Sequence, residues 1–292
     1  MRFYIVTPSF NQINYLKRCV ASIRDQAINR LELHHEVIDG ASTDGTVQWL
    51  KREDVPHVSE SDAGMYEALN KGIDRMGADG AHQSKAIFAW LNADEQYLPG
   101  TLKAVADYFS EHPEADILCG DALVLDESSE LITYWKSLPL RRAYLRTGTL
   151  YNLTCAMFFR ARVFASGLRF DQQLKAVADL VLMDQLLAQG AKSACLSRYL
   201  AAYTYAVDNI SNQRHAIEER VSYLRSQSLG QRMLIHPLAR ACRAGERLMR
   251  GTRRQMFPLT YEVYTSDLTR RTPLTSAHVP AQWPSRSSRG EN

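Results

Sequence analysis

The chain has 292 residues, 45% of them hydrophobic and 23% charged, enough to bury one large α/β core with an irregular remainder. The net charge of +3 is uneven, because residues 213–292 hold fourteen Arg and no Lys against six acids, which is +8, and the first 212 residues carry −5. No run approaches the ~18 apolar residues of a membrane span, no leader precedes the first strand, and five scattered cysteines without a Cys-x-x-Cys pair argue against a zinc site and read as reduced thiols, so a cytoplasmic protein, free or peripheral on the inner face of a membrane, is expected.

Residues 3–6 form a short apolar strand closed by Thr7-Pro8-Ser9, after which Ile13, Leu16, Val20, Ile23 and Ala27 recur at helical spacing. Residues 36–39 read as a second strand, Ser42-Thr43-Asp44 as caps for a helix through Val47 and Leu50, and residues 55–60 as a third strand. A helix carrying Tyr66, Leu69, Ile73 and Met76 follows Gly64, and residues 86–91, the most apolar strand, belong in the middle of a parallel sheet. A turn at Pro99-Gly100 and a helix through Leu102, Val105 and Phe109 complete a nucleotide-binding half of roughly 110 residues. Beyond Pro113 the short runs 117–118, 123–125 and 131–135 predict antiparallel or mixed strands that extend the same sheet. Residues 155–159 read as another strand, Leu180, Leu182, Met183, Leu186 and Leu187 as one face of a helix stopped by Gly190, and residues 199–205 as a last strand. The predicted units are an α/β domain over 1–212, a basic amphipathic helical extension over 213–270, and a disordered tail over 271–292.

Two of the strands end in acids, at Asp39 and at Asp94. Carboxylates delivered to one edge of a sheet are what holding a nucleotide and its metal ion requires. Four ordered blocks sharpen this: Thr7-Pro8-Ser9-Phe10-Asn11; Asp39-Gly40-Ala41-Ser42-Thr43-Asp44-Gly45-Thr46; Ser59-Glu60-Ser61-Asp62-Ala63-Gly64-Met65-Tyr66-Glu67-Ala68-Leu69-Asn70-Lys71-Gly72; and Leu91-Asn92-Ala93-Asp94-Glu95. In order and spacing they resemble the family 2 glycosyltransferases of bacterial polysaccharide biosynthesis, over residues 3–211. The resemblance implies the GT-A fold, an α/β, Rossmann-like mixed sheet flanked by helices, with a nucleotide-sugar donor and inversion at the anomeric carbon.

Each block then has a task. Thr7, Pro8, Phe10 and Asp39 close neighbouring strands where a base can lie, and Asp39 can accept a hydrogen bond from the imide N–H of uracil or thymine, or from guanine. Asp44 reads as a cap that ties its loop together. Asp62 ends the third strand, within reach of ribose, base or donor sugar, and Lys71 lies one helix further on, where a phosphate or sugar hydroxyl could meet it. The family's Asp-x-Asp holds Mg²⁺ or Mn²⁺ on the diphosphate through its last acid. Here Asn92-Ala93-Asp94 keeps that acid as the metal ligand Asp94 and offers the neutral oxygen of Asn92 in place of the first. Glu95 reads either as an acid behind the metal ligand or as a solvated turn residue.

An inverting transfer needs one general base at the acceptor hydroxyl. By resemblance it is Asp179, since Phe170-Asp171-Gln172-Gln173-Leu174 precedes Ala178-Asp179-Leu180-Val181-Leu182. Many relatives have a second acid where Val181 stands and a metal-binding His where Tyr205-Ala206-Val207-Asp208-Asn209-Ile210-Ser211 has none, with Asp208 or His215 as substitutes. His34 and His35, inside a strand, read as structural. The Arg-rich extension reads as a helix on an anionic membrane that presents lipid-linked acceptors, as a subunit contact, or as a solvated face; it lacks the interleaved aromatics of a nucleic-acid surface. The expected activity is inverting transfer of a sugar from a nucleotide diphosphate to a hydroxyl of a glycan or lipid-linked acceptor. One alternative is a nucleotide-sugar-binding subunit that has lost turnover, suggested by Asn92, Val181 and the missing His. Another is a nucleotidyltransferase, which the lack of a Gly-rich basic loop between Thr7 and Lys17 disfavours.

Overall fold

The computed structural model describes residues 1–27, 31–80, 85–205 and 214–283. Its first half alternates strand and helix: β1 (Arg2–Ser9), α1 (Ile13–Arg24), β2 (Glu32–Asp39), α2 (Thr46–Arg52), β3 (His57–Ser59), α3 (Met65–Ala78) and β4 (Ile87–Trp90). These four strands are parallel, in the order β3-β2-β1-β4. A parallel sheet must be covered on both faces, which is why β1 and β4 are almost wholly apolar and why α1 and α3 each turn one stripe inward. Leu16, Cys19, Val20 and Ile23 form the stripe of α1, and Tyr66, Leu69, Ile73 and Met76 that of α3. α3 lies so close to the sheet that a Cβ on Gly72 would fall 2.4 Å from a methyl of Val6, so only glycine fits there.

The second half adds β5 (Gln96–Tyr97), α4 (Thr101–Glu111), β6 (Ile117–Leu125), β7 (Leu131–Trp135), α5 (Arg142–Leu145), β8 (Met157–Arg160), α6 (Ala178–Ala188) and β9 (Ser193–Thr204). β8 lies antiparallel between β4 and β6, β9 runs parallel to β6 on its other side, β7 pairs with the outer part of β6, and β5 closes the edge against β9. The sheet is thus extended in mixed sense, as the short runs predicted. The runs 117–118 and 123–125 are, however, one continuous buried strand. Gly120-Asp121 resembles a turn in the sequence, but glycine makes room for Leu200, whose Cδ1 would lie 2.2 Å from a Cβ there, and the Asp121 carboxylate accepts the N–H of Ser137 at 2.9 Å. Trp90 stacks on Phe159 at 5.3 Å and meets Phe170 edge-on at 5.3 Å, joining the two halves through one core.

The C-terminal segment departs from expectation. α7 (Arg214–Arg225) and α8 (His236–Met249), joined by a π-helical turn at Gln231–Ile235, are followed by an antiparallel hairpin of β10 (Leu259–Val263) and β11 (Thr272–Ser276). The helical extension therefore ends at Met249 and not at 270, and the predicted disorder of 271–292 is corrected as far as Trp283. Tyr261, Val263 and Val279 share a core cluster with Leu98, Leu123, Leu125, Leu131 and Tyr134, the Thr133 hydroxyl donates to the Pro280 carbonyl at 2.7 Å, and Trp283 packs against Trp135, Tyr203 and Tyr205. A Pro/Ser/Thr-rich composition concealed these apolar contacts, each a single residue between polar neighbours. Residues 284–292 lie outside the described residues. Among the described residues no helix is long and apolar enough to cross a membrane, and all five cysteines are free thiols.

Candidate active site

Strand register assembles the site. Ser9, Asp39 and Ser59 stand side by side at the carboxyl ends of β1, β2 and β3, and Trp90 pairs with Val6 just ahead of Asn92-Ala93-Asp94. Ligands of open α/β sheets bind at this edge. Asp39 is nevertheless fully buried, and its two oxygens accept the Ser42 N–H at 2.9 Å, the Ser42 hydroxyl at 2.5 Å and the Ser59 hydroxyl at 2.7 Å. It fastens the loop after β2 to β3 and does not present the free acceptor oxygen expected of it. Thr7 likewise points inward, with its hydroxyl 2.9 Å from His35 Nε2 and no exposed surface, and Pro8 is buried. Asp44 behaves as its spacing suggested: it accepts the N–H of Ile13 at 2.9 Å, the N–H of Thr46 at 3.1 Å and the Thr46 hydroxyl at 2.6 Å, joining its loop to the start of α1.

The accessible part of this edge is a slot between Phe10, Gly40 and Asp62. Phe10 is 61% exposed, unusual for so large an apolar ring. A Cβ on Gly40 would touch the Phe10 ring and both Asp62 oxygens at 3.4 Å each, so the absence of a side chain there keeps the slot open. Asp62 accepts the N–H of Gly64 at 2.9 Å, and burial together with nearby Glu67 and Asp39 raises its carboxyl above the usual carboxylate range. An aromatic face beside a carboxylate suits a flat heterocycle carrying an N–H. Lys71 does not reach this slot. It pairs with Glu60 at 2.8 Å and Glu67 at 3.1 Å, which raise its ammonium pKa and take two of its three donors.

Past β4 the chain turns so that Ala93 is buried in the α1–α2 cluster and contributes backbone only, while Asn92 and Asp94 stay partly exposed. The Asp94 carbonyl accepts the Thr204 hydroxyl at 2.5 Å, which ties this loop to β9. Glu95 is 1% exposed, so it is not a solvated turn residue, and its Oε2 accepts the Asn92 N–H at 2.8 Å. Burial raises both acids, and for Glu95 the Asp94 charge adds to the effect. Asn92 Oδ1 and Glu95 Oε1 are buried with no hydrogen-bond partner among the described residues. Orphaned oxygens beside a half-buried carboxylate fit an oxygen-preferring divalent cation, whose remaining ligands would be phosphates and water. No group of three His, Cys, Asp or Glu able to hold a metal occurs among the described residues. Asp208 lies outside the described residues.

Asp179 sits in the first turn of α6 with Oδ1 2.7 Å from the Leu180 N–H. Burial pushes its carboxyl up to about 6. Three residues hold it there. Tyr66 of α3 is buried and its ring stacks on Phe170 at 5.4 Å. Asn70 clamps Phe170 from both sides, donating to its carbonyl and accepting its N–H at 2.9 Å each. Glu219 of α7 accepts the N–H groups of Lys175, Ala176 and Val177 at 2.7, 2.9 and 3.2 Å. Asn70 could have been found from its block, although not its partner; Glu219 lies forty residues beyond Asp179 and carries no local signal. Between this turn and the N-terminus of α3 lies a cavity of about 230 Å³ lined by Gly64, Tyr66, Glu67, Gln172, Lys175 and His215, in which buried His215 Nε2 has no partner among the described residues. His215 thus faces this cavity. A larger cavity of about 580 Å³ beside Lys136, Arg254 and His278 is lined by none of these acids.

The Glycosyl transferase family 2 model matches residues 4–168, more than half of the chain. The PGL/p-HBAD biosynthesis glycosyltransferase of Mycobacterium bovis is 25% identical over 244 residues, covering 80% of this chain and 88% of that protein. The putative teichuronic acid biosynthesis glycosyltransferase TuaG of Bacillus subtilis is 28% identical over 218 residues, covering 72% and 81%. S. aureus TarS 1-349, solved in complex with UDP-GlcNAc, superposes with a TM-score of 0.56 at 15% identity, over 90% of this chain and 97% of that one. A longer TarS chain matches over only 58% of its length. These superpositions bear on the fold, and with the curled mixed sheet they establish it as GT-A. The chain belongs to glycosyl transferase family 2 and is a glycosyltransferase.

Proposed function

We propose that the protein transfers a sugar, with inversion, from a nucleotide diphosphate donor to a hydroxyl of a glycan or lipid-linked acceptor in polysaccharide biosynthesis. The observation that carries this reading is that Asp62 and Asp94 follow the parallel strands β3 and β4 at one sheet edge, while Asp179 opens α6 behind a turn that Asn70 clamps to α3 at Phe170 and Glu219 fastens to α7. Phe10 stacks on the base while Asp62 accepts its N–H, taking over the task expected of Asp39. Asp94, with Asn92 and Glu95 behind it, would hold Mg²⁺ or Mn²⁺, which when bound offsets the charge of the leaving diphosphate. Asp179 accepts the acceptor's hydroxyl proton as that oxygen bonds to the anomeric carbon and the bond to the diphosphate breaks on the opposite face. A pKa of about 6 leaves Asp179 ionised at neutral pH yet more basic than an ordinary carboxylate, which suits a general base. The relatives named for PGL/p-HBAD biosynthesis and for putative teichuronic acid biosynthesis support a biosynthetic glycosyl transfer of this kind.

The test is a transfer assay with UDP-, GDP- and dTDP-sugars, Mn²⁺ and glycan or lipid-linked acceptors, run across pH. The rate with one donor should rise as pH passes about 6 from below, as Asp179 loses its proton. Transfer with retention of configuration, or a pH profile unchanged in Asp179→Asn, would contradict it.

A further inference from the structure

We propose that residues 217–256 form a docking surface that seats the enzyme on an anionic phospholipid bilayer. Twelve large hydrophobic side chains are exposed among the described residues, and ten of them lie in this stretch; the other two are Phe10 and Leu268. The helix α8 is inside out. It turns His236, Ala239 and Glu246 toward the protein and lays the guanidinium groups of Arg243 and Arg247 over Tyr151 and Trp135, at 5.4 and 4.8 Å. Its apolar residues face solvent, with Leu238 65%, Leu248 77% and Met249 82% exposed, continuing Leu234, 75% exposed, in the π-helical turn before it. Separations of four and eleven residues, close to whole helical turns, place Leu234, Leu238 and Met249 on one stripe, with Leu248 beside it.

The stripe is not a loose tail. Gln227 donates to the Arg146 carbonyl at 2.9 Å and meets His236 at 2.8 Å, and Arg141 pairs with Glu246 at 3.0 Å. The segment is fastened through these polar residues and through Tyr223, Leu224 and Ala239, and leaves ten large apolar side chains outward, which costs free energy in water unless a second phase covers them.

Charge identifies that phase. Of the three acids between positions 217 and 256, Glu246 is buried among Arg141, Tyr144 and Arg250, Glu219 is engaged with the turn at 175–177, and Glu218 alone is exposed, while Arg232, Arg240, Arg253 and Arg254 are exposed. Apolar side chains ringed by arginines match the boundary between acyl chains and phosphate headgroups. A second copy of the chain fits less well, because stacking two such faces would oppose these four exposed arginines to their counterparts against a single exposed acid, Glu218. Membrane docking does not depend on the proposed transfer chemistry. With that chemistry it gains a purpose, since Glu219 of the adjoining α7 holds the turn before Asp179 and so couples the docked surface to the acceptor side.

The experiment is co-sedimentation of the full chain with vesicles of phosphatidylcholine alone and of phosphatidylcholine mixed with phosphatidylglycerol, at low and high salt. The chain should bind the mixed vesicles at low salt, and combined Leu234→Asp and Leu238→Asp should weaken binding about tenfold or more, since both side chains leave water on docking. Combined Arg232→Glu and Arg240→Glu should lose the preference for phosphatidylglycerol while leaving the melting temperature unchanged. A chain that stays in the supernatant with anionic vesicles would overturn the proposal, as would leucine variants that bind like the parent. Dimers in analytical ultracentrifugation that the leucine variants dissolve, without vesicle binding, would assign the surface to a second copy. Binding is read without transfer, so its failure leaves the catalytic reading intact, and the reverse holds.

Discussion

The first 112 residues and the stretch from 214 to 256 treat apolar side chains in opposite ways. In the first, every helix turns its apolar stripe onto the sheet, and the strand ends carry polar groups to one edge. In the second, α8 turns arginines, a histidine and a glutamate inward and its leucines and methionines outward. The first arrangement stabilises a fold in water. The second leaves surface that water disfavours, and so belongs to a molecule that works against another phase. Catalysis by the first region and placement by the second are separable, and substitutions can separate them.

The largest effect falls on the catalytic side. Asp179→Asn should lower kcat by about 10²–10⁴-fold, the usual worth of a general base, with nucleoside diphosphate affinity unchanged. It should not lower stability at neutral pH. Because burial raises the folded-state pKa from 3.8 to about 6, ionising Asp179 costs native stability progressively as pH rises from about 4 to about 6, and asparagine removes that cost. A melting temperature that drops sharply with Asn would assign Asp179 to structure.

Next comes the contrast in burial itself. Leu69→Ala, at a fully buried site, should destabilise by roughly 2–5 kcal/mol in chemical denaturation. Leu234→Ala, at 75% exposure, should stay within about 0.5 kcal/mol. Equal costs would mean that the outward stripe is packed in solution.

Two neighbouring acids should then part ways. Asp39→Asn should cost about 1–3 kcal/mol of stability through its three lost or weakened hydrogen bonds, whereas Asp62→Asn should leave the melting temperature alone and weaken nucleotide binding about tenfold. Calorimetry on both variants checks this. Smallest of all, Lys71→Ala should change stability by no more than about 1 kcal/mol and nucleotide affinity not at all, because its ion pairs with Glu60 and Glu67 are partly exposed.

Legibility followed the same division. The parallel half could be read from apolar runs and acid endings because each of its elements is locally self-consistent, and the blocks around Asp39, Asp62 and Asp94 name the family. Which acid faces ligand could not be read: Asp39 and Asp62 both end strands, and only the arrangement of Ser42, Ser59 and Phe10 shows that the first is enclosed and the second lines a slot. Gly120-Asp121 hid a continuous strand because its reasons, Leu200 and Ser137, lie far along the chain. The β10–β11 hairpin was hidden because its core contacts are single residues in a polar segment, completed by Leu123, Leu131 and Tyr134. Helical periodicity in the basic extension was visible, but its direction was not, since a stripe reads the same whether it faces protein or membrane.

The central claim, that one sheet edge holds a nucleotide diphosphate through Asp94 with Asp179 standing by as base, is tested most directly by calorimetric titration with UDP, GDP, dTDP and CDP, each with Mn²⁺ and again with EDTA. One nucleotide should bind the parent chain and Asp179→Asn alike in Mn²⁺, and bind Asp94→Asn about 10²-fold more weakly. Binding of none of the four, or equal binding by Asp94→Asn, would contradict it.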